Sequence, residues 1–558
     1  MFFVQSYRVY KHLLHTDARD VILLHKNYNN GGVLMSTGQV WILIVFILYF
    51  GAIISMAIRF RKSENLADYF LGGRGLNTWI GALSAQTSDM SGWLLMALPG
   101  SIFFFGTGRA WIAIGLLIGT ILNWCFVAKR LRRYTIVASN SITLPEFFEN
   151  RFRDSSHVLK MTACIFFAIF FTVYAASGFL AGGRMLPHIF GVSYPTAVII
   201  LAAFVVLYTL IGGLKAISWT DSIQGMMMLA AVFFLPLIVI SHMGGWGEIT
   251  ASIDQPGFFN LMSDSDGSTL PPVHVISGLA WGLGYFGMPH ILVKLIAINK
   301  EKFVHKSAVI AIIWVIIALG SAITVGWVGR AFIPEIGFDG REYVFIEIIN
   351  RIFLDHGTVI LTLLGALFLC GMFAAIKSTA DSHLLVGSSA VGDIYKTINK
   401  KASDKNLVWF SRCVVFIMAV AASLVALDAY VPAHYNEYGV YVPWALDRAT
   451  GVMALVSVAW AGFGSAFGPL VLCSLFWKRT NRAGGVAGVV VGGVTVLIWQ
   501  YASIIDGVTP MVHTSLNHLV PGFSLSLIAI IIASLVTKAP SEEVLKDFDT
   551  ASKPMQES

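Results

Sequence analysis

Of 558 residues, 56% are hydrophobic and 12% are charged, about half the charge density of a soluble domain, and the mean hydropathy is +0.74. This composition excludes a water-soluble globular protein and describes a polytopic, all-α membrane protein surrounded by membrane lipid. The formal charge of +7 does not signal a nucleic-acid partner, because the basic residues gather in short loops between apolar spans, as membrane topology requires.

Residues 1–34 have no continuous apolar core and no small-residue cleavage site, so they do not read as a signal peptide. Met35-Ser36-Thr37-Gly38 directly precedes the first strong span, and Met35 is expected to be the natural start, with 1–34 a dispensable or mis-assigned extension. From there, apolar stretches long enough to cross a bilayer recur at 39–58, 77–105, 109–128, 158–183, 194–213, 219–241, 273–298, 307–329, 357–388, 406–427, 452–477, 484–506 and 519–537. A transmembrane domain of about thirteen helices over 35–537 is therefore expected, followed by a polar tail, 538–558, too short for an appended catalytic domain. Basic clusters follow every second span, among them Arg59, Lys129, Arg130, Arg132, Arg133, Lys300, Lys302 and Lys478, while loops 243–272 and 507–518 contain no Lys or Arg. The amino terminus is thus expected outside and the carboxyl terminus in the cytoplasm. The aromatic external loop 428–450 reads as a surface loop, or as a lid. Cys125, Cys164, Cys370, Cys413 and Cys473 lie in or at the edge of apolar helices without CxxC or His companions, and read as packing residues rather than a disulfide or metal framework.

Within the second span, Ser84 to Met96 sets Asp89, several hydroxyls and Gly92 at bilayer depth. A carboxylate there is costly without a compensating cation, which makes Asp89 either a cation-site residue or half of a helix-to-helix ion pair. Small residues beside it let the helix open and turn carbonyls toward an ion. The seventh span, five helices later, carries Trp281-Gly282-Leu283-Gly284-Tyr285-Phe286-Gly287-Met288-Pro289-His290. Two interrupted helices in matching positions predict a five-plus-five inverted repeat with its site at the midplane. Close packing on a neighbour accounts for the glycines equally well, though not for Pro289 beside the aromatics.

Span nine supplies Ser378, Thr379 and Ser382, hard oxygen ligands suited to a small cation. Lys377 and Asp381, four residues apart, share a helix face. They either neutralise each other or set an ammonium at a cation position, where a proton could replace the ion. Asp221 reads as a helix cap or as a partner of Asp381 and Ser382. Tyr174, Trp281 and Tyr285 read as core aromatics or as walls for a small amphipathic substrate, and His290 as a ligand or a partner for a freed carbonyl.

These segments, with Tyr69-Phe70-Leu71-Gly72-Gly73-Arg74, Ser218-Trp219-Thr220-Asp221 and Trp460-Ala461-Gly462-Phe463-Gly464, resemble the sodium/solute symporter family from about residue 39 to 537. The resemblance implies an inverted-repeat transporter of the cell membrane that moves L-proline inward with Na+ by alternating access, without a cofactor. By position it implies a sodium site at Thr87, Met90, Ala375, Ser378 and Thr379 with Asp89 nearby, and substrate contacts at Ser91, Gly92, Trp93, Tyr174, Trp281, Tyr285 and Pro289. It also implies a sensitive loop position at Arg74 and a second cation or proton site at Asp221, Asp381 and Ser382, with Lys377 beside it. Lys377 and Asp381 depart from the family pattern, which keeps H+ open as the coupling ion. Competing readings are uptake of another small carboxylate such as pantothenate, or a membrane nutrient sensor that does not transport. An enzyme is not expected, since no nucleophile–base grouping or metal motif is present. Oligomeric state is not legible.

Overall fold

The computed structural model describes residues 35–60, 66–355, 358–399, 401–429, 451–502 and 510–554. The expectations for 1–34 and for 430–450 lie outside the described residues. Helices account for nearly all regular structure among the described residues; the exceptions are two isolated bridges, Leu76 with Ile298 and Ser263 with Thr269.

In chain order the principal helices are α1 (Thr37–Arg59), α2 (Thr78–Asp89), α3 (Trp93–Phe105), α4 (Thr107–Val137), α5 (Leu144–Phe152), α6 (Val158–Phe190), α7 (Tyr194–His242), α8 (Pro272–Phe286), α9 (Pro289–Ile296) and α10 (Glu301–Phe332). They continue with α11 (Val359–Ile398), α12 (Asp404–Ala429), α13 (Val452–Phe476), α14 (Arg482–Tyr501), α15 (Leu519–Val536) and α16 (Glu542–Ser552). Among the described residues, ten helices are long and apolar enough to cross a membrane, or eleven if the α8–α9 pair, bent by 44°, forms one span. The expected thirteen spans overlap these helices. The larger number arises because the sequence reading divides the 49-residue α7 and counts α2–α3 as a span. Gly213, with φ 62° and ψ −178°, interrupts α7, and at 1.5 Å per residue an unbroken helix of that length would be roughly twice a bilayer core.

Local chemistry sets the helix ends. Ser36 and Gln39 form a capping box at α1, with Gln39 N donating to Ser36 Oγ at 3.2 Å and Ser36 N to Gln39 Oε1 at 2.9 Å. The Asn77 side chain accepts from Ile80 N at the start of α2. Large apolar side chains such as Leu48 on α1, Ile417 on α12 and Val536 on α15 stand exposed, while Asp89, Asp221, Lys294, Lys377 and Asp381 are fully buried. That inversion of the soluble pattern is what a lipid solvent selects. Of the ten membrane-length helices among the described residues, α13 is the most enclosed, with 94% of its most apolar stretch buried inside the protein.

Helices α4 and α8 meet through glycines. A side chain at Gly119 would run into the Gly282 backbone, and one at Gly284 into the Trp460 indole, whose Nε1 donates to Trp281 O at 2.8 Å. The glycines of this segment thus serve close packing, the simpler of the two readings.

Part of the polar tail is helical. Residues 542–552 form an amphipathic helix that seats Val544, Phe548 and Ala551 against the bundle. Polar ties hold it there: Arg130 donates to Ser552 Oγ at 2.7 Å, Arg133 to Ala551 O at 3.2 Å, and Lys478 pairs with Asp549 at 2.5 Å. Phe548 lies under the guanidinium groups of Arg130 and Arg151. Phe548→Ala should therefore cost about 3 kcal/mol and lower the unfolding midpoint of the detergent-purified protein, followed by tryptophan fluorescence. An unchanged midpoint would show that the helix adds nothing to stability.

Candidate functional site

The first break is built by Met90, whose ψ of 79° ends α2. Beyond it, Ser91 N donates to Asp89 O at 3.0 Å rather than continuing the helical ladder to Thr87, and the helix restarts at Trp93. The Thr87 carbonyl is thereby turned toward α11. There, Ser378 Oγ approaches Thr87 O at 3.3 Å and Ala375 O at 3.2 Å, and Thr379 Oγ1 approaches the same two carbonyls at 3.5 and 3.1 Å. Four hard oxygens from two helices thus converge in a fully enclosed place, a donor set suited to a small monovalent or divalent cation. Both hydroxyls back-bond within α11, as serine and threonine do in membrane helices. The contact with Thr87 across the break is what distinguishes this pair.

Asp89 takes a different direction. One of its carboxylate oxygens accepts a hydrogen bond from the Tyr285 hydroxyl on α8, and the other is buried without a hydrogen-bond partner. Its carbonyl accepts from the Trp93 indole at 3.1 Å, so the residue ties both broken segments together. The backbone N–H of Trp93 reaches Ser91 Oγ at 3.4 Å, and Gly92 allows Ala181 of α6 and Ile376 of α11 to close on the break.

On the far side of this region, Tyr174 stacks on His383 with ring centroids 3.9 Å apart, and His290 stands 4.7 Å from His383. The Tyr174 hydroxyl and all four ring nitrogens of the two histidines are buried without hydrogen-bond partners. Trp281 and Tyr285 pack on Trp460 of α13, at 6.3 and 5.0 Å. Pro289 opens α9 beyond the second break. Tyr174, His290 and His383 lie together, while Trp281 belongs to the Trp460 side.

Deeper toward the start of α2 lies an ionic network. Lys377 Nζ is 2.6 Å from Asp381 Oδ2, 3.4 Å from Gln224 Oε1, and 3.4 Å above the Tyr208 ring centroid. Gln224 in turn bonds the Tyr49 hydroxyl. Of the two sequence readings of this pair, mutual neutralisation is what the contacts describe. Asp221 does not cap a helix: it lies within α7 and its Oδ2 accepts from Ser84 Oγ at 3.0 Å and from Lys294 Nζ at 2.7 Å. Lys294 also donates to Ser84 O at 3.0 Å and Ser382 Oγ at 3.1 Å. Asp221 and Ser382 are therefore brought together through a lysine on α9 that sequence reasoning missed. The signal was present, since a lysine five residues after Pro289 in an apolar run is as costly at bilayer depth as Asp89.

Arg74, at the end of the bundle where α2 starts, has four partners: Asn140 Oδ1 at 3.1 Å, Thr135 Oγ1 at 3.3 Å, Ile296 O at 3.0 Å and Ser141 O at 3.0 Å. Burial, aided by the nearby Arg132 guanidinium, lowers its pKa to about 10, which leaves it charged at neutral pH. Leu76 N donates to Ala297 O at 3.1 Å and Asn299 N to Leu76 O at 2.9 Å. Arg74 thus locks the entrance of α2 to the exit of α9.

Comparison with known proteins bears on this arrangement. The model of the sodium:solute symporter family matches residues 69–492. The high-affinity proline transporter PutP of Bacillus subtilis is 40% identical over 496 residues, covering 88% of this chain and 97% of that protein. The sodium/proline symporter of Escherichia coli is 39% identical over 518 residues, covering 91% and 96%. Among solved structures, a Na+-coupled sialic acid symporter in a substrate-bound, outward-open state superposes with a TM-score of 0.71 at 18% identity, covering 90% of this chain and 99% of that one.

The buried pair on α11 makes a prediction independent of any activity. Asp381→Asn leaves the Lys377 ammonium uncompensated and should destabilise the protein by about 3–5 kcal/mol, whereas Lys377→Met with Asp381→Leu should recover most of that loss. Thermal unfolding of the purified parent and the two variants checks this, and equal midpoints for the single and double variants would remove the pairing argument.

Proposed function

We propose that this chain, which belongs to the sodium:solute symporter family, couples downhill Na+ entry to the inward movement of L-proline across the cell membrane by alternating access. The observation that carries the reading is the convergence of the Ser378 and Thr379 hydroxyls on the Thr87 and Ala375 carbonyls at a helix break. Relatives named for proline transport, matched over nearly their whole length, supply the substrate class.

In this reading those four oxygens hold Na+, with the Met90 carbonyl completing the set. Asp89 sits beside the ion rather than on it. Its charge favours a cation in this dry region, and its hydrogen bond to Tyr285 passes the state of α2 to α8. A bound ion pins the end of α2 against α11 and so fixes Ser91, Gly92 and Trp93, the segment assigned to the substrate. Tyr174, Trp281, Tyr285 and Pro289 supply an aromatic and rigid wall for the pyrrolidine ring. The unpartnered Asp89 oxygen and Tyr174 hydroxyl are available to the charged end of the amino acid. Because ion and substrate share one break, each tightens the other by the same factor.

The chain is a multi-pass membrane protein, and its basic loops support an outside amino terminus and a cytoplasmic carboxyl terminus. On that orientation Arg74 and the Leu76–Ile298 contact close the cytoplasmic side. Lys377 is engaged by Asp381, Gln224 and Tyr208, so sodium coupling requires no proton exchanged there.

Uptake of labelled proline by reconstituted vesicles should rise at least tenfold on imposing an inward Na+ gradient and should not follow an imposed proton gradient at constant Na+. Ser378→Ala should raise the half-saturating Na+ concentration about tenfold, equivalent to about 1.4 kcal/mol for one lost ligand. Uptake indifferent to Na+ in the parent protein would sink the proposal.

A further inference from the structure

The charges around the docked tail helix α16 are unevenly balanced. Arg133 of α4 holds both oxygens of Glu301, at 3.1 and 2.6 Å, Arg153 pairs with Glu543 and Asp547, and Lys478 pairs with Asp549 at 2.5 Å. Arg130 and Arg151 meet no carboxylate among the described residues: Arg130 donates to Ser552 Oγ, and Arg151 Nε to Ser474 O at 3.1 Å. Arg151, on α5, is only 1% exposed. Its Nη1 and Nη2, like Arg130 Nε and the Tyr134 hydroxyl, are buried without a hydrogen-bond partner among the described residues. These donors surround one ring, since the Arg130 and Arg151 guanidinium carbons lie 5.0 and 5.4 Å from the Phe548 centroid and Tyr134 packs on the same ring at 6.1 Å.

An arginine cannot relieve its burial by losing a proton. The ring faces of Tyr134 and Phe152, 5.0 and 4.9 Å from the Arg151 guanidinium carbon, offset part of the lost hydration. An enclosed charge with two unused donors still calls for a counter-charge. Asp547 is near enough for its charge to act on Arg151, but its carboxylate is bonded to Arg153 at 3.0 Å. The Nη1–Nη2 edge of a guanidinium matches two oxygens of a carboxylate or phosphate. Two cations without acids, together with a hydroxyl donor, favour the phosphate, which carries about −1.5 to −2 charges at pH 7 and three acceptor oxygens.

We propose that Arg151, with Arg130 and Tyr134, forms a phosphate-binding site beneath the tail helix, closed by Phe548. A free phosphate and a phosphomonoester lipid headgroup present the same chemistry to these donors. Because Phe548 covers both guanidinium groups, the bound phosphate also fastens α16 to α4 and α5. The site stands apart from the sodium and substrate residues, so the proposal does not depend on the sodium-coupled reading.

The test uses the full-length protein in neutral detergent, freed of phosphate and lipid, with chloride at equal ionic strength as the control. Inorganic phosphate, or mixed micelles containing phosphatidic acid, should raise the thermal unfolding midpoint by about 2 °C or more, and phosphatidylcholine should not. A shift with inorganic phosphate assigns a free phosphate; a shift with phosphatidic acid alone assigns a headgroup. Hydrogen exchange of the backbone amides of 542–552 should slow with the effective probe, and binding without that protection would place the anion elsewhere and overturn the site. Arg151→Gln should weaken binding of the probe about tenfold or more. If that variant does not fold, Tyr134→Phe, which keeps the ring and removes the hydroxyl donor, should weaken it about threefold. Binding of neither probe to the parent protein, or binding unchanged in a folded variant, would overturn the proposal.

Discussion

An ion without water must find its counter-charge within the protein, and in this bundle that constraint decides which helices can touch. Asp221, Lys294, Lys377 and Asp381 are all fully enclosed, and removing any one would leave a naked charge. The pairing is therefore a condition of folding as well as of function. Lys294 makes the constraint three-dimensional because its partners lie on three helices. Helices α2, α7, α9 and α11 are brought to one point by a single ammonium, and the oxygens of the Thr87 group lie next to that point, one turn of α11 away from Ser382.

The second constraint is that backbone polar groups in a bilayer interior must be satisfied from within the chain. Continuous helices meet it automatically, so each departure is informative. At Met90 the interruption redirects Thr87 O to Ser378 and Thr379, and the Trp93 indole takes up Asp89 O. At Gly287 and Met288 the interruption lies between a tightly wound turn, Trp281–Phe286, and the proline that opens α9. Glycines make this second break possible by letting α4 and α13 approach the backbone closely, and Trp460 closes over Gly284. The freed groups are thus mostly consumed by the protein. Among the buried side-chain groups left without a partner are the Tyr174 hydroxyl and the imidazoles of His290 and His383.

Much of this was legible in the sequence because membrane physics is simple to read. Span length, the breaks at Ser91-Gly92 and Gly287-Pro289, and the cost of Asp89 at depth follow from hydropathy and from residue types that lipid excludes. The hydroxyls on α11 read as ligands only in combination with Asp89, and their common partner, the Thr87 carbonyl, enters the reading through the family resemblance alone, because no side-chain pattern reveals a backbone atom. Lys294 escapes a reading of the sequence because it sits in an apolar run beside Pro289-His290, although the cost of a charge at bilayer depth applies to it as it does to Asp89. Asp221 reads with two roles because α7 looks like two spans in the sequence; only the packing of α7 on α2 and α9 selects between a cap and an ion partner. The tail reads as polar because its buried apolar residues, Val544, Phe548 and Ala551, are spaced to form one narrow helical stripe.

How a small ion can move so large an assembly follows from where the rigid and the conditional contacts lie. The contacts made by Lys294 and by the Lys377–Asp381 pair are permanent charges in a dry interior, too costly to separate in each cycle. Arg74, by contrast, holds the loop after α4 and the end of α9 mainly through carbonyls and neutral side chains at the margin of the bundle, where water can replace each partner at little net cost. The Thr87 contacts with Ser378 and Thr379 are of the same weak kind, at 3.3 and 3.5 Å. A cation inserted among those oxygens replaces marginal hydrogen bonds with ion–dipole attraction, so the largest change in interaction energy falls at the end of α2. The α2 helix begins at the Arg74 latch and ends at the ion oxygens. A shift at one end is therefore carried to the other by twelve residues of uninterrupted helix, without requiring the buried lysines to let go.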